Sequence, residues 1–144
     1  MSTWTLQELA KKMADIDYLM FSTRAENGQL AARPMSNNED VDYDGSSWFF
    51  TWADSRMIDD IRRDAAVGLS FQGKAHLFGA PPLFISVEGN AELITDQAAF
   101  KEHWDDSMDR WFKQGPATPG IILIKVKANR IHYWDGEDEG EVTL

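Results

Sequence analysis

The amino-acid sequence predicts a mainly β protein with some α, built as a six-stranded antiparallel barrel flanked by short helices. Three observations carry this expectation. About six short runs are rich in aromatic and β-branched residues, an Asn-Gly pair sits between two of them, and most connections are too short for helical crossovers. The 144 residues form a single domain (1–144), with no linker, internal repeat or low-complexity tract.

The elements follow in order. Thr5 to Ile16 reads as a helix, because Thr5 and Glu8 have capping-box spacing and Leu6, Leu9, Ala10 and Met13 share one face. Tyr18 to Thr23 and Gln29 to Met35 read as strands joined by the Glu26-Asn27-Gly28 turn. Ser36 to Gly45 is an acidic loop containing Glu39, Asp40, Asp42 and Asp44, and Ser47 to Thr51 is an aromatic strand. A surface helix then starts at Asp54 or Ser55, with Met57, Ile58 and Ile61 as its apolar stripe and Asp59, Asp60, Arg62 and Arg63 kept wet.

Strands are expected at Val67 to Phe71 and Phe84 to Ile94, where Gly89 marks a bulge or a close approach. Gln72 to Leu83 is broken by Gly73, Gly79, Pro81 and Pro82. Asp96 caps a helix from Gln97 towards Trp104, Ser107 to Phe112 adds a helical turn, and Gln114 to Gly120 is a loop. Ile121 to Ala128 and Arg130 to Trp134 read as a hairpin, with Ile122, Ile124 and Val126 facing the core. Residues 135–144 carry five acids and no base, and read as a solvated acidic tail.

Charge narrows the range of partners. Fourteen Lys and Arg against 24 Asp and Glu give a formal net charge of -10, which opposes nucleic acids and anionic membranes. No cysteine means no disulfide and no thiolate chemistry, and the opening segment lacks the apolar core of a signal peptide. A cytoplasmic location is the resulting expectation. His76, His103 and His132 are too scattered for a metal site, and no nucleophile elbow is present.

Several segments resemble one family. Ala31-Ala32-Arg33-Pro34-Met35, Trp48-Phe49-Phe50-Thr51, Asp54-Ser55-Arg56, Phe84 to Ala91, Trp111-Phe112 and Tyr133-Trp134 are similar to the pyridoxamine 5'-phosphate oxidase-like split-barrel flavoproteins, most of all the bacterial general stress proteins. The resemblance implies a six-stranded split barrel that forms a homodimer and holds one FMN per subunit at the interface. It implies that Arg33, Thr51, Ser55 and Arg56 meet the FMN phosphate, that Met35 and Phe50 approach the flavin and, more loosely, that Trp111 lies against cofactor or partner. The residue types suit that task independently, since a phosphate dianion takes guanidinium forks, hydroxyls and free amides at a helix start.

Two departures stand out. Met57, the eighth candidate contact to the cofactor, occupies a position where the family often has Lys, and a thioether cannot replace an ammonium beside phosphate. The acidic C-terminal end replaces the basic segments with which true pyridoxamine phosphate oxidases grip their substrate, so vitamin B6 phosphate oxidation is not expected. The expected function is an FMN-binding, stress-related oxidoreductase carrying electrons from a reduced nicotinamide nucleotide to an acceptor. The alternatives are a flavin storage protein, or a split barrel holding deazaflavin or haem.

Overall fold

The computed structural model describes residues 2–37 and 42–144, so Glu39 and Asp40 of the expected acidic loop lie outside the described residues. The strands are β1 (Ser2–Thr5), β2 (Tyr18–Arg24), β3 (Leu30–Ser36), β4 (Ser46–Trp52), β5 (Ala66–Gln72), β6 (Phe84–Ile94), β7 (Ile121–Asp135) and β8 (Asp138–Thr143). The helices are α1 (Leu6–Met13), α2 (Arg56–Arg63) and α3 (Gln97–His103), and short 3-10 turns occupy Asp106–Arg110 and Gly115–Ala117. The strands run in the order β1-β8-β7-β6-β5-β2-β3, with β4 joined to β7 beside that path. The sheet is therefore open and mixed, with eight strands among the described residues. The expected six antiparallel strands are too few, and β1 and β8 run parallel.

Local chemistry accounts for the elements that matched. The Thr5 amide donates to Glu8 Oε2 at 2.9 Å and the Glu8 amide to Thr5 Oγ1 at 3.2 Å, completing the capping box of α1. At the Asn27-Gly28 turn, Gly28 adopts φ +83 and β3 returns antiparallel to β2, with Phe21 opposite Arg33. Gly89 is a close-approach position, since a Cβ there would lie 2.6 Å from the Lys127 carbonyl oxygen.

Three expectations fail for physical reasons. The hairpin after Ala128 is absent, and β7 is one continuous 15-residue strand. A single intervening residue cannot reverse the chain. Instead the register against β6 slips past Asn129, so that Glu88 faces Arg130 and Gly89 faces Ala128. The solvated tail is also wrong, because Asp138–Thr143 is β8, lying between β7 and β1. Its acids find bases on β7, with Arg130 Nε donating to Glu141 at 2.8 Å and His132 Nε2 lying 2.9 Å from Glu139. Asp60, expected in water, is fully buried on the inner face of α2.

Two apolar clusters flank the first half of β7, which explains why Ile121 to Ile124 are all buried. Ile122, Ile124 and Val126 join the main core with Phe21, Phe49, Met57, Ile58 and Tyr133. Ile121 and Leu123 face a second cluster with Phe50, Phe100, Met108 and Phe112. No helix among the described residues is long and apolar enough to cross a membrane.

Candidate functional site

The open sheet leaves two strand edges facing a gap. Among the described residues, β3 ends the strand order and is paired only with β2, and β4 is paired only with β7. A cleft of about 220 Å³ lies between them, lined by Pro34, Met35, Ser36, Phe49, Phe50, Thr51, Trp52, Met108, Trp111 and Phe112. Four of the eight predicted site residues, Met35, Phe50, Thr51 and Trp111, thus meet in one place. The walls suit a flat ligand, with aromatic and thioether side chains beside strand edges that leave backbone donors and acceptors available. Phe50 is buried and fixed edge-on by Phe100 and Trp104 at centroid distances of 5.8 and 4.8 Å. Trp52 and Trp111 remain 45% and 57% exposed at the rim.

Of the four predicted anion-binding residues, Thr51 lines this cleft, and Arg33, Ser55 and Arg56 do not. Arg33 lies on the same face of β3 as Met35, two residues away, and turns towards β2 and α2. Its Nη1 donates to the Phe21 carbonyl at 3.1 Å and to Thr23 Oγ1 at 2.8 Å. Nη2 lies 3.8 Å from Asp60 Oδ2, an ion pair without a hydrogen bond. The Nε–Nη2 edge makes no hydrogen bond among the described residues, and this edge has the fork geometry that grips phosphate. Burial pushes the Arg33 guanidinium below its ordinary value, and the Asp60 charge pushes back.

Ser55 is the N-cap of α2, yet its side chain makes no capping bond. Its Oγ is buried and has no partner. Such a hydroxyl carries a desolvation cost that only a hydrogen-bond partner offsets. The Ser55 and Ile58 amides donate to the Trp52 and Ser55 carbonyls at 3.1 and 3.2 Å, while those of Arg56 and Met57 precede the first intrahelical acceptor, so this corner is suited to an anion. Arg56 is exposed beside it and makes no ion pair among the described residues. Met57 belongs elsewhere: it is buried in the main core, so it neither lines the cleft nor replaces a phosphate-binding lysine there. Lys74 and His76 line a separate depression with Lys12, Asp15 and Asp135.

Sequence reasoning missed Asp60. Its carboxylate accepts from Thr23 Oγ1 at 2.8 Å and from Arg63 Nη2 at 2.7 Å, and Thr23 is itself buried. Burial alone would raise the Asp60 pKa; the Thr23 hydroxyl and the Arg63 and Arg33 charges outweigh it and hold the carboxyl below its ordinary value. A signal was present, because Asp60 stands three residues after Met57 and beside Ile61, within the apolar stripe.

The chain resembles several characterised structures and one curated protein. It is 26% identical over 137 residues to protein bli-3 of Neurospora crassa, covering 89% of this chain and 63% of the length of that relative. A protein related to general stress protein 26 from Clostridium acetobutylicum superposes with a TM-score of 0.79 at 18% identity, covering 96% of this chain and 94% of the other. The general stress FMN/FAD binding protein of Xanthomonas citri gives 0.74 at 25% identity over 96% and 94%. A haem binding protein of Mycobacterium smegmatis gives 0.77 at 12% identity, covering 96% of this chain and 57% of the other. Residues 5–144 match the family described as pyridoxamine 5'-phosphate oxidase like, and the chain belongs to that family.

Proposed function

We propose that the protein is an FMN-binding, stress-related flavoprotein that carries electrons from a reduced nicotinamide nucleotide to an acceptor. The buried, partnerless Ser55 hydroxyl at the start of α2 carries this reading, and the free Arg33 edge supports it. Arg33, Thr51, Ser55, Arg56 and the Arg56 and Met57 amides would hold the phosphate, while Met35, Phe50 and Trp111 would hold the ring. Bound flavin supplies hydride and electron transfer; the chain orients the ring and keeps water from its buried face. Trp52 and Trp111 at the rim give a homodimer an apolar surface to cover. A haem would draw its axial ligand from side chains such as His, Met or Tyr. Met serves haem in company with His, and the cleft lining offers two thioethers and no imidazole, which favours flavin over haem.

Native mass spectrometry with an absorption scan tests the binding. A dimer carrying one FMN per subunit is expected, and a stoichiometric haem or deazaflavin would replace the reading. Anaerobic reduction by NADH and NADPH then separates enzyme from store. Reduction no faster than that of free FMN would leave a storage protein.

A further inference from the structure

We infer that Asp60 is a positioning residue of the phosphate site, acting through Thr23 to aim Arg33; this rests on the flavin reading. The Thr23 hydroxyl has one proton, and Asp60 Oδ2 accepts it at 2.8 Å. The oxygen of Thr23 is thereby turned to accept the Arg33 Nη1 proton, also at 2.8 Å. The Phe21 carbonyl takes the second Nη1 contact. One end of the guanidinium is therefore fixed at two points, and the opposite edge stays open.

The other carboxylate oxygen completes the argument. Arg63 Nη2 holds Asp60 Oδ1 at 2.7 Å. With both oxygens engaged, Asp60 does not take Arg33 in a two-pronged fork, and their contact stays at 3.8 Å. A fork would consume the donors that an anion needs. Two guanidiniums share one carboxylate, so the cluster keeps a net positive charge. Fastening α2 to β2 does not require an ionised group in the interior, because apolar packing does this with less desolvation.

The test compares FMN with riboflavin, which lacks the phosphate. In T23V, the FMN dissociation constant should rise about tenfold while that of riboflavin changes less than about twofold. T23S keeps the hydroxyl and should restore the wild-type ratio. Asp60→Asn removes a negative charge, so Coulomb attraction alone would tighten FMN; loss of aim weakens it, and weakening is expected. Tighter FMN in D60N, or equal changes for both flavins in T23V, would overturn the assignment. If D60N does not fold, T23V and T23S decide. Wild-type protein that binds FMN no better than riboflavin would remove the phosphate site itself, and Asp60's role with it. A wild-type preference retained in both T23V and D60N would overturn only Asp60.

Discussion

At one end of the proposed site, Arg33, Thr23, Asp60 and Arg63 are tied by hydrogen bonds of 2.7–3.1 Å, and the Ser55 hydroxyl waits without a partner. At the other end, Met35, Phe50, Thr51 and Trp111 surround an open cleft whose rim tryptophans are about half exposed. Directed, charge-assisted bonds discriminate strongly between ligands that have or lack a group, whereas apolar contacts add affinity with little discrimination. On the proposed flavin reading, phosphate recognition therefore belongs to the first end and ring placement to the second.

The largest expected effect lies outside both ends. Met57→Lys would force an ammonium into the main core and should cost about 3 kcal/mol of stability, read from the denaturant midpoint. Tighter FMN with unchanged stability would instead place this side chain at the phosphate. Next comes Arg33→Ala, which should weaken FMN roughly 100-fold and leave riboflavin nearly unchanged, as isothermal titration would show. A parallel loss of both ligands would erase the distinction between the ends.

Ser55→Ala sharpens it through opposite signs. Removing a buried hydroxyl that has no partner should leave the ligand-free protein equally or slightly more stable, while FMN weakens about tenfold. A destabilised ligand-free protein would show that the hydroxyl is already satisfied. Trp111→Ala is the smallest change. It should reduce FMN and riboflavin affinity alike, by about threefold, with stability altered by less than about 0.5 kcal/mol. A loss confined to FMN would move Trp111 to the phosphate end.

Sequence was most informative where a short motif dictates geometry by itself. Thr5 with Glu8, Asn27-Gly28, and Gly89 each specify a local backbone solution, and the structure adopts all three. It was least informative where tertiary pairing overrides composition. Acids in residues 135–144 suggested solvent, yet Gly140 and Val142 are buried in β8, whose Glu139 and Glu141 meet bases on β7. At the candidate site, the cleft residues Met35, Phe50, Thr51 and Trp111 were legible through the family resemblance of the segments that carry them, not through composition or periodicity. Ser55 was legible as a helix cap, but its missing side-chain bond appears only in three dimensions. Asp60 was hidden because a charged residue on a short helix ordinarily faces water.

The gap between β3 and β4 also bears on how the protein behaves when empty. Two strands with one free edge each are templates on which another chain could add a strand. Pro34, lying in β3 opposite Met20, has no amide proton to offer an incoming neighbour. Aromatic side chains guard the other edge less effectively, since they attract apolar surfaces. Anything that fills the gap, whether a small molecule or a second subunit, therefore protects these edges from open-ended strand addition.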